Sequence, residues 1–331
     1  MISGDEKYIY LDWNVFKYMK EPRTDKGEID KQFNELVFKL KNKYKFPFSY
    51  AHIRDRTNRY SKEHYEKVKQ DLEFVESISD SICVGIYLGE PVLYKVYIQD
   101  CFEDYISEDY ISKEEKNTLN ISTSFQFSYK VDMQKLDKNH PMYDFLLESN
   151  GMIDTKGMDE FLQNMYQFIF SDAVRYKKFR SYIDKIDLRN CLHQAYSYDE
   201  LMQLNKLLYH LFPFIDSFQD DEEKLKKKWG QIAERWFSLN SGSALKKEQL
   251  LIQGYTLLDM HPIFREKMKK GKNTLDNIVR DGNHCFYASQ ARYFVSEDEY
   301  TLRKTAFLYD VYNIKTRVVC ENEFIKCFEV I

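Results

Sequence analysis

Short apolar runs alternate with amphipathic segments in the first part of the chain. Three runs, YIYL (8–11), FPFSYAHI (46–53) and SICVGIYL (81–88), predict buried strands because each is short and bounded by polar residues. Apolar residues at helical spacing predict helices over 28–44 and 61–77. Alternation of strands and helices is typical of an α/β fold with a parallel sheet.

The same alternation returns towards the C-terminus. The pattern predicts a helix over 281–291 that leads directly into a strand over 292–297. A helix over 301–312, a strand over 314–319 and a last helix over 321–328 follow.

The central part of the sequence has a different character. Helical periods occur there with little alternation, over 158–183, 199–212, 222–237 and 246–260, and the polar segment 104–138 fits a loop, a short hairpin or a lid. We therefore expect a discontinuous α/β domain, residues 1–89 and 268–331, interrupted by a mainly helical insertion over 90–267. Large insertions are tolerated when they leave from a surface loop.

Composition and charge narrow the class of protein. The 331 residues are 43% hydrophobic and 16% aromatic, which is enough for a large core, and 11 Gly and 6 Pro favour helices over a turn-rich all-β fold. The net charge of −4 provides no general basic field, so a nucleic acid would have to be held by local patches.

The cysteines and the N-terminal sequence indicate the compartment. The six cysteines include no C-x-x-C pair, a pattern that suits reduced thiols and gives no zinc-site spacing. The N-terminal residues lack the charged and apolar regions of a signal peptide, and no apolar run is long enough to span a bilayer. We expect a cytoplasmic protein with no membrane partner.

Four aspartates occupy corresponding places in the predicted elements. Asp12 ends the first strand, Asp55 follows the second, Asp298 follows the strand over 292–297, and Asp281 starts the helix before that strand. Because the carboxyl ends of parallel strands meet at one edge of a sheet, these acids are expected to converge. Clustered carboxylates repel one another unless a cation lies between them, and such oxygen ligands suit Mg²⁺ or Mn²⁺.

Each of these acids also fits a structural role. Asp12, Asp55 and Asp281 could each cap a helix N-terminus, which is a common use of aspartate. Asp298 could belong to a surface turn. The joint pattern, more than any single residue, indicates a functional site.

The four segments together resemble a PIN-like domain, a metal-dependent nuclease fold. YIYLDWNVF resembles the opening strand with its D-x-N motif, and DGNHCFYASQA resembles the later acidic helix. FPFSYAHIRD and YFVSED resemble the second strand and the strand that ends in T/S-x-D. The resemblance implies a three-layer core with a short parallel sheet, here interrupted by the helical insertion. It covers under half of the chain, and Asp55 replaces the commoner glutamate.

The resemblance also implies an activity, the hydrolysis of phosphodiester bonds by metal-activated water. Asp12, Asp281 and Asp298 would hold the metal, with Asp55 completing the catalytic set. Asn14 and Ser296 would position ligands or strand ends. RNA is the favoured substrate class, and the family suggests a toxin or a phage-defence effector. The insertion would bind substrate, a protein partner or another copy of the chain.

Three further residues lie close to these acids in sequence. His284 lies three residues after Asp281 and would share its helix face, as a ligand, substrate contact or proton carrier. His52 and Arg54 precede Asp55, and Arg54 would contact phosphate. The alternative for each histidine is a buried ring that is hydrogen-bonded to a backbone group or a carboxylate.

Two other functions fit parts of the same pattern. One is a catalytically inactive PIN-like interaction or scaffold protein, although the presence of all four acids weighs against it. The other is a phosphatase of the haloacid dehalogenase type with Asp12 as nucleophile. That class normally needs a second aspartate at the position of Asn14.

Overall fold

The computed structural model describes residues 8–57, 62–107, 216–238, 246–266 and 275–329, together with a few positions between 128 and 214. Within these residues the strands are β1 (Ile9–Leu11), β2 (Ile82–Tyr87), β3 (Glu90–Lys95), β4 (Ser128–Lys130), β5 (Met152–Asp154), β6 (Tyr293–Val295) and β7 (Arg317–Val319). The helices are α1 (Trp13–Lys20), α2 (Gly27–Leu40), α3 (Tyr50–Thr57), α4 (Tyr65–Ser79), α5 (Ile98–Ile106), α6 (Glu222–Ser238), α7 (Lys247–Met260), α8 (Leu275–Tyr287), α9 (Glu299–Val311) and α10 (Glu321–Glu329).

The sheet that organises the fold is parallel and joins distant parts of the chain. Its order is β1-β6-β7, with Leu11 opposite Val295 and Val295 opposite Val319. All three strands therefore end at the same edge. Asp12 and Ser296, the residues that follow β1 and β6, lie next to each other there.

Two isolated parallel bridges connect this sheet to an antiparallel hairpin. Lys45 pairs with Tyr8, and Phe48 pairs with Cys83 of β2. β2 and β3 are joined by the two residues Leu88 and Gly89, which both have positive φ. A two-residue turn of this kind matches the twist of the strands on either side.

Helices cover both faces of the sheet. Tyr8 and Tyr10 pack with residues of α6, α7, α8 and α9, whereas Ile9 and Leu11 pack with residues of α1, α2, α4 and α10. This division follows from the alternation of side chains along a strand. The result is a mixed α/β fold in which helices predominate around a small parallel sheet.

A glycine allows α8 to lie close against α7. A Cβ atom at Gly282 would stand 3.2 Å from the carbonyl oxygen of Ile252, closer than ordinary contact. Gly282 lies between Asp281 and Asn283. The close helix packing therefore fixes the part of α8 that carries the candidate site residues.

The predicted strand over 46–53 is wrong. Only Phe48 of this run makes a bridge, and α3 begins at Tyr50. Pro47 has no backbone N–H for a ladder, which limits pairing along this segment. Asp55 therefore lies inside a helix, where it does not follow a strand or cap a helix.

The predicted start of the helix over 281–291 is also wrong. α8 begins at Leu275, so Asp281 lies within the helix. The helix ends at Tyr287 and continues as a short 3-10 turn, Ala288–Gln290. The dipeptide Asp281-Gly282 resembled a helix start, but the glycine is used for packing.

Most other predicted elements are confirmed within a few residues, including β1, β2, α2, α4, α6, α7, α9 and α10. The sequence reading missed β3 and α5, and the polar segment 104–138 contributes β4, which pairs with β5. The helices predicted over 158–183 and 199–212 lie outside the described residues.

The domain boundaries remain a prediction. Helices α6 and α7, from the proposed insertion, pack into the core beside Tyr10. None of the described helices is both long and apolar enough to cross a membrane.

Arg23 connects the loop after α1 to the C-terminal elements. It forms ion pairs with Asp30, Glu297 and Glu321. Burial and the neighbouring charge of Glu297 raise the pKa of Glu321 to about 8. Glu321 therefore holds its proton to higher pH than an ordinary glutamate does, even though its carboxyl group contacts the Arg23 guanidinium.

We predict that Glu321→Gln removes a loss of stability that the wild type shows as pH rises from about 4 to about 8. The folded protein holds the Glu321 proton up to about pH 8, whereas the unfolded chain releases it near pH ~4.3. Stability from this group is therefore full below about pH 4, falls as pH rises from about 4 to about 8 by on the order of a few kcal/mol, and is constant above that interval. Glutamine cannot lose a proton, so urea unfolding between about pH 5 and 9 should show a flatter profile.

Glu35→Gln is the matched control, because Glu35 is an exposed residue of α2. It should retain the wild-type pH profile. An unchanged profile in Glu321→Gln would contradict the assigned protonation state.

Candidate metal centre

Asp12 is fixed at the carboxyl edge of the sheet by its own carboxylate. One oxygen accepts the Trp13 backbone N–H at 2.7 Å, so Asp12 caps α1. The other accepts the Ser296 hydroxyl at 2.6 Å. The side chain is nearly buried, and these two bonds orient it from the ends of two adjacent strands. The capping role and a site role are thus compatible.

Two helices bring Asp55 and His284 to the same edge. α3 carries Asp55, and α8, which packs against α3, carries His284. The His284 Nε2 atom lies 2.8 Å from Asp55 Oδ2 and 3.9 Å from Asp12 Oδ1. One ligand atom from each of the three residues lies within 4.8 Å of the other two.

Arg280 completes the environment of Asp55. Its Nε atom lies 2.9 Å from Asp55 Oδ1, on the side away from His284. Arg280 and His284 are four residues apart on α8, so they share a helix face. The sequence reading missed Arg280 because it placed the helix start one residue later. A helix that begins at Leu275 would have revealed this spacing.

The charges in this cluster are unevenly distributed. Burial would raise the pKa of Asp55, but hydrogen bonding to His284 and the charges of His284 and Arg280 lower it overall. Burial would lower the pKa of His284, yet Asp55 and Asp12 raise it overall. Both shifts favour the charged forms, an Asp55 carboxylate beside a protonated His284.

The pKa values of Asp12 and Asp281 are raised by their position in the cluster. Burial, with the charges of Asp55 and Asp298, raises the pKa of Asp12, although His284 and Ser296 oppose it. Burial, followed by the charges of Asp55 and Asp12, raises the pKa of Asp281 well above its usual range. Asp281 thus belongs electrostatically to the cluster, although the three-residue ligand group does not include it.

Asp298 is placed beside Asp12 through Ser296. Its backbone N–H donates to the Ser296 hydroxyl at 3.2 Å, and its carboxylate accepts the Thr301 N–H at 2.8 Å. Asp298 therefore caps α9. The predicted metal set of Asp12, Asp281 and Asp298 differs from the geometric group of Asp12, Asp55 and His284. Ligation by Asp281 or Asp298 remains a prediction.

The other predicted support residues lie around this group. His52 is fully buried, and its ring lies 4.8 Å from the His284 ring. Asn14 lies in the first turn of α1, partly exposed, and Arg54 lies beside Asp55 on α3, also partly exposed. A phosphate contact by Arg54 remains a prediction.

The residues present suit a divalent cation. In octahedral coordination with bonds of about 2.1 Å, neighbouring ligand atoms would stand about 3 Å apart and opposite ones about 4.2 Å. The His284 separations of 2.8 Å from Asp55 and 3.9 Å from Asp12 are of this size, and the three ligand atoms all lie within 4.8 Å of one another. A cation would also offset the effects of burial and of the neighbouring carboxylates, which together raise the pKa values of Asp12 and Asp281.

Comparisons of this chain with family models, with curated proteins and with solved structures found no match.

We predict that Asp281→Asn stabilises the metal-free protein at neutral pH, because the asparagine cannot ionise in this buried position. The folded state raises the pKa of this carboxyl, so its contribution to stability falls as pH rises above the unfolded pKa of about 4. The asparagine removes that cost, and its advantage should grow with pH. Urea unfolding in EDTA at several pH values measures it.

Asp104→Asn, an exposed change on α5, should leave stability unaltered under the same conditions. A less stable Asp281→Asn protein at alkaline pH would show that the Asp281 carboxylate has a favourable partner.

Proposed function

We propose that this protein is a metal-dependent nuclease with a PIN-like core that hydrolyses phosphodiester bonds, with RNA as the favoured substrate. The observation that carries the proposal is the convergence of Asp12, Asp55 and His284 at the carboxyl edge of a parallel sheet. These residues come from opposite ends of the sequence, which makes an incidental surface cluster a poor explanation.

The burial of the group gives the proposal physical support. Removing several carboxylates from water costs several kcal/mol unless a compensating charge is present. His284 and Arg280 compensate Asp55, whereas burial and the neighbouring carboxylates raise the pKa values of Asp12 and Asp281 and disfavour their charged forms. Mg²⁺ or Mn²⁺ would supply the missing positive charge.

The roles of the residues follow from their positions. Asp12, Asp55 and His284 would hold the cation, with Asp281 and Asp298 as further candidates. A divalent ion bound in such a site lowers the pKa of a bound water and stabilises charge on a phosphoryl group. Ser296 keeps the Asp12 carboxylate oriented by donating its hydroxyl proton to Oδ2.

The substrate class comes from the PIN-like resemblance, as does a role as a toxin or phage-defence effector. Binding of a protein partner or of a second copy through residues 90–267, and action in the cytoplasm, belong to the same proposal. The inactive scaffold remains the principal alternative. The phosphatase has less support, because Asn14 occupies the place of its second aspartate and both Asp12 oxygens are already held by hydrogen bonds.

We predict that the purified protein cleaves single-stranded RNA when Mn²⁺ or Mg²⁺ is added, and that EDTA abolishes cleavage. Asp12→Asn and His284→Gln should each reduce the rate by about 100-fold or more, because each removes a metal ligand. Attack by water should leave no 2′,3′-cyclic phosphate, since the ribose hydroxyl does not take part. Gel analysis of end-labelled RNA measures both the rate and the product ends.

The exposed-residue variant Asp104→Asn should cleave like the wild type, and circular dichroism should show that all variants are folded. A DNA panel run in parallel tests the substrate class. Wild-type protein that binds metal but leaves both RNA and DNA intact would refute the nuclease and favour the scaffold.

A further inference from the structure

A continuous chain of buried hydrogen bonds runs from His284 away from the metal ligands. His284 Nδ1 lies 2.7 Å from the Tyr10 hydroxyl, which lies 2.7 Å from Ser49 Oγ. Ser49 Oγ in turn lies 3.1 Å from His52 Nδ1. The chain ends where His52 Nε2 meets the Leu11 carbonyl oxygen at 2.7 Å. All four side chains are fully buried.

The far end of this chain has a fixed direction. The backbone N–H of Ser49 donates to His52 Nδ1 at 2.9 Å, so Nδ1 accepts and carries no proton. His52 Nε2 must then carry the proton and donate it to the Leu11 carbonyl, which can only accept. Burial lowers the pKa of His52 to about 3, so this neutral form persists at ordinary pH.

The protonation of His52 then fixes the donor and acceptor roles of the other groups in turn. Because His52 Nδ1 is an acceptor, Ser49 can contact it favourably only by donating its single hydroxyl proton. Ser49 must then accept from Tyr10, which uses the single proton of Tyr10. The Tyr10 oxygen has only lone pairs left for His284, so His284 Nδ1 must be protonated and donate.

We propose that Tyr10, Ser49 and His52 act as positioning residues that hold His284 in the Nδ1–H form, so that Nε2 is presented to the cation as a nitrogen ligand. The neutral ring could otherwise adopt either of two tautomers, and only one leaves Nε2 free to bind metal. This inference rests on the metal site of the proposed function. It adds a role for three residues that do not contact the metal.

A nitrogen ligand also affects which cation is preferred. Mg²⁺ favours oxygen ligands and water, whereas imidazole suits first-row transition ions better. The fixed His284 tautomer therefore selects Mn²⁺ over Mg²⁺ at this site. Partners that orient a ligating histidine typically change metal affinity by about 10–100-fold when removed.

Two buried tyrosines on neighbouring positions of the same segment permit a matched test. Tyr10→Phe removes the acceptor of His284 Nδ1–H, while Tyr8→Phe removes a hydroxyl that donates to the Tyr287 carbonyl at 2.6 Å. Calorimetric titration with Mn²⁺ and with Mg²⁺ should show about 10-fold weaker Mn²⁺ binding for Tyr10→Phe, with a smaller Mn²⁺ to Mg²⁺ preference. Tyr8→Phe should bind Mn²⁺ within about 2-fold of wild type, because its hydroxyl lies outside the chain.

A spectroscopic measurement on the wild-type protein tests the same claim. In ¹⁵N-histidine-labelled wild-type protein saturated with Mg²⁺, which is diamagnetic, His284 should show a proton on Nδ1 and none on Nε2, and His52 should show a protonated Nε2. His284→Gln supplies the resonance assignment. A neutral His284 with its proton on Nε2 would overturn the proposal, as would equal loss of Mn²⁺ affinity in Tyr8→Phe and Tyr10→Phe. If Tyr10→Phe does not fold, Ser49→Ala replaces it with the same expectation.

These outcomes are separable from those of the cleavage assay. Wild-type protein with the expected tautomers and Mn²⁺ preference but no cleavage of nucleic acid would refute the nuclease alone. Cleavage that needs Asp12, together with a Nε2-protonated His284, would refute the positioning role alone.

Discussion

Negative charge buried at one edge of a small sheet is the constraint on which the site depends. Asp12 and Asp55 lie close enough to share a cation. His284 and Arg280, from one face of α8, contribute positive charge beside Asp55. The balance is incomplete, as the raised pKa values of Asp12 and Asp281 show. Buried carboxylates stabilise the fold less than apolar residues at the same positions would. Such a cost is typical of functional sites.

Local sequence patterns predict the strands that meet at this edge better than they predict which side chains converge there. β1 and β6 were found because short buried apolar runs identify strands. Asp12 was correctly placed because it directly follows Leu11. Asp55 was assigned to a strand end, yet α3 carries it. Alternation of apolar residues in a short segment does not distinguish a strand from a buried helix.

The partners of His284 could not have been predicted in the same way. Its hydrogen bonds reach Asp55 and Tyr10, both more than 200 residues away. No local pattern contains that information, because it arises from the packing of α8 against α3 and β1. The sequence could indicate that His284 shares a face with Asp281, which is correct, but the ring points to a different carboxylate.

The central strand of the sheet is synthesised long after β1, the strand beside it. β6 lies between β1 and β7, so Asp12 has neither its neighbouring strand nor the Ser296 hydroxyl until that segment is present. A growing chain that has released only residues up to α7 from the ribosome holds Asp12 and Asp55 but lacks His284. The cluster of Asp12, Asp55 and His284 is therefore completed only after α8 has been made, and the cation site that we propose cannot form before then.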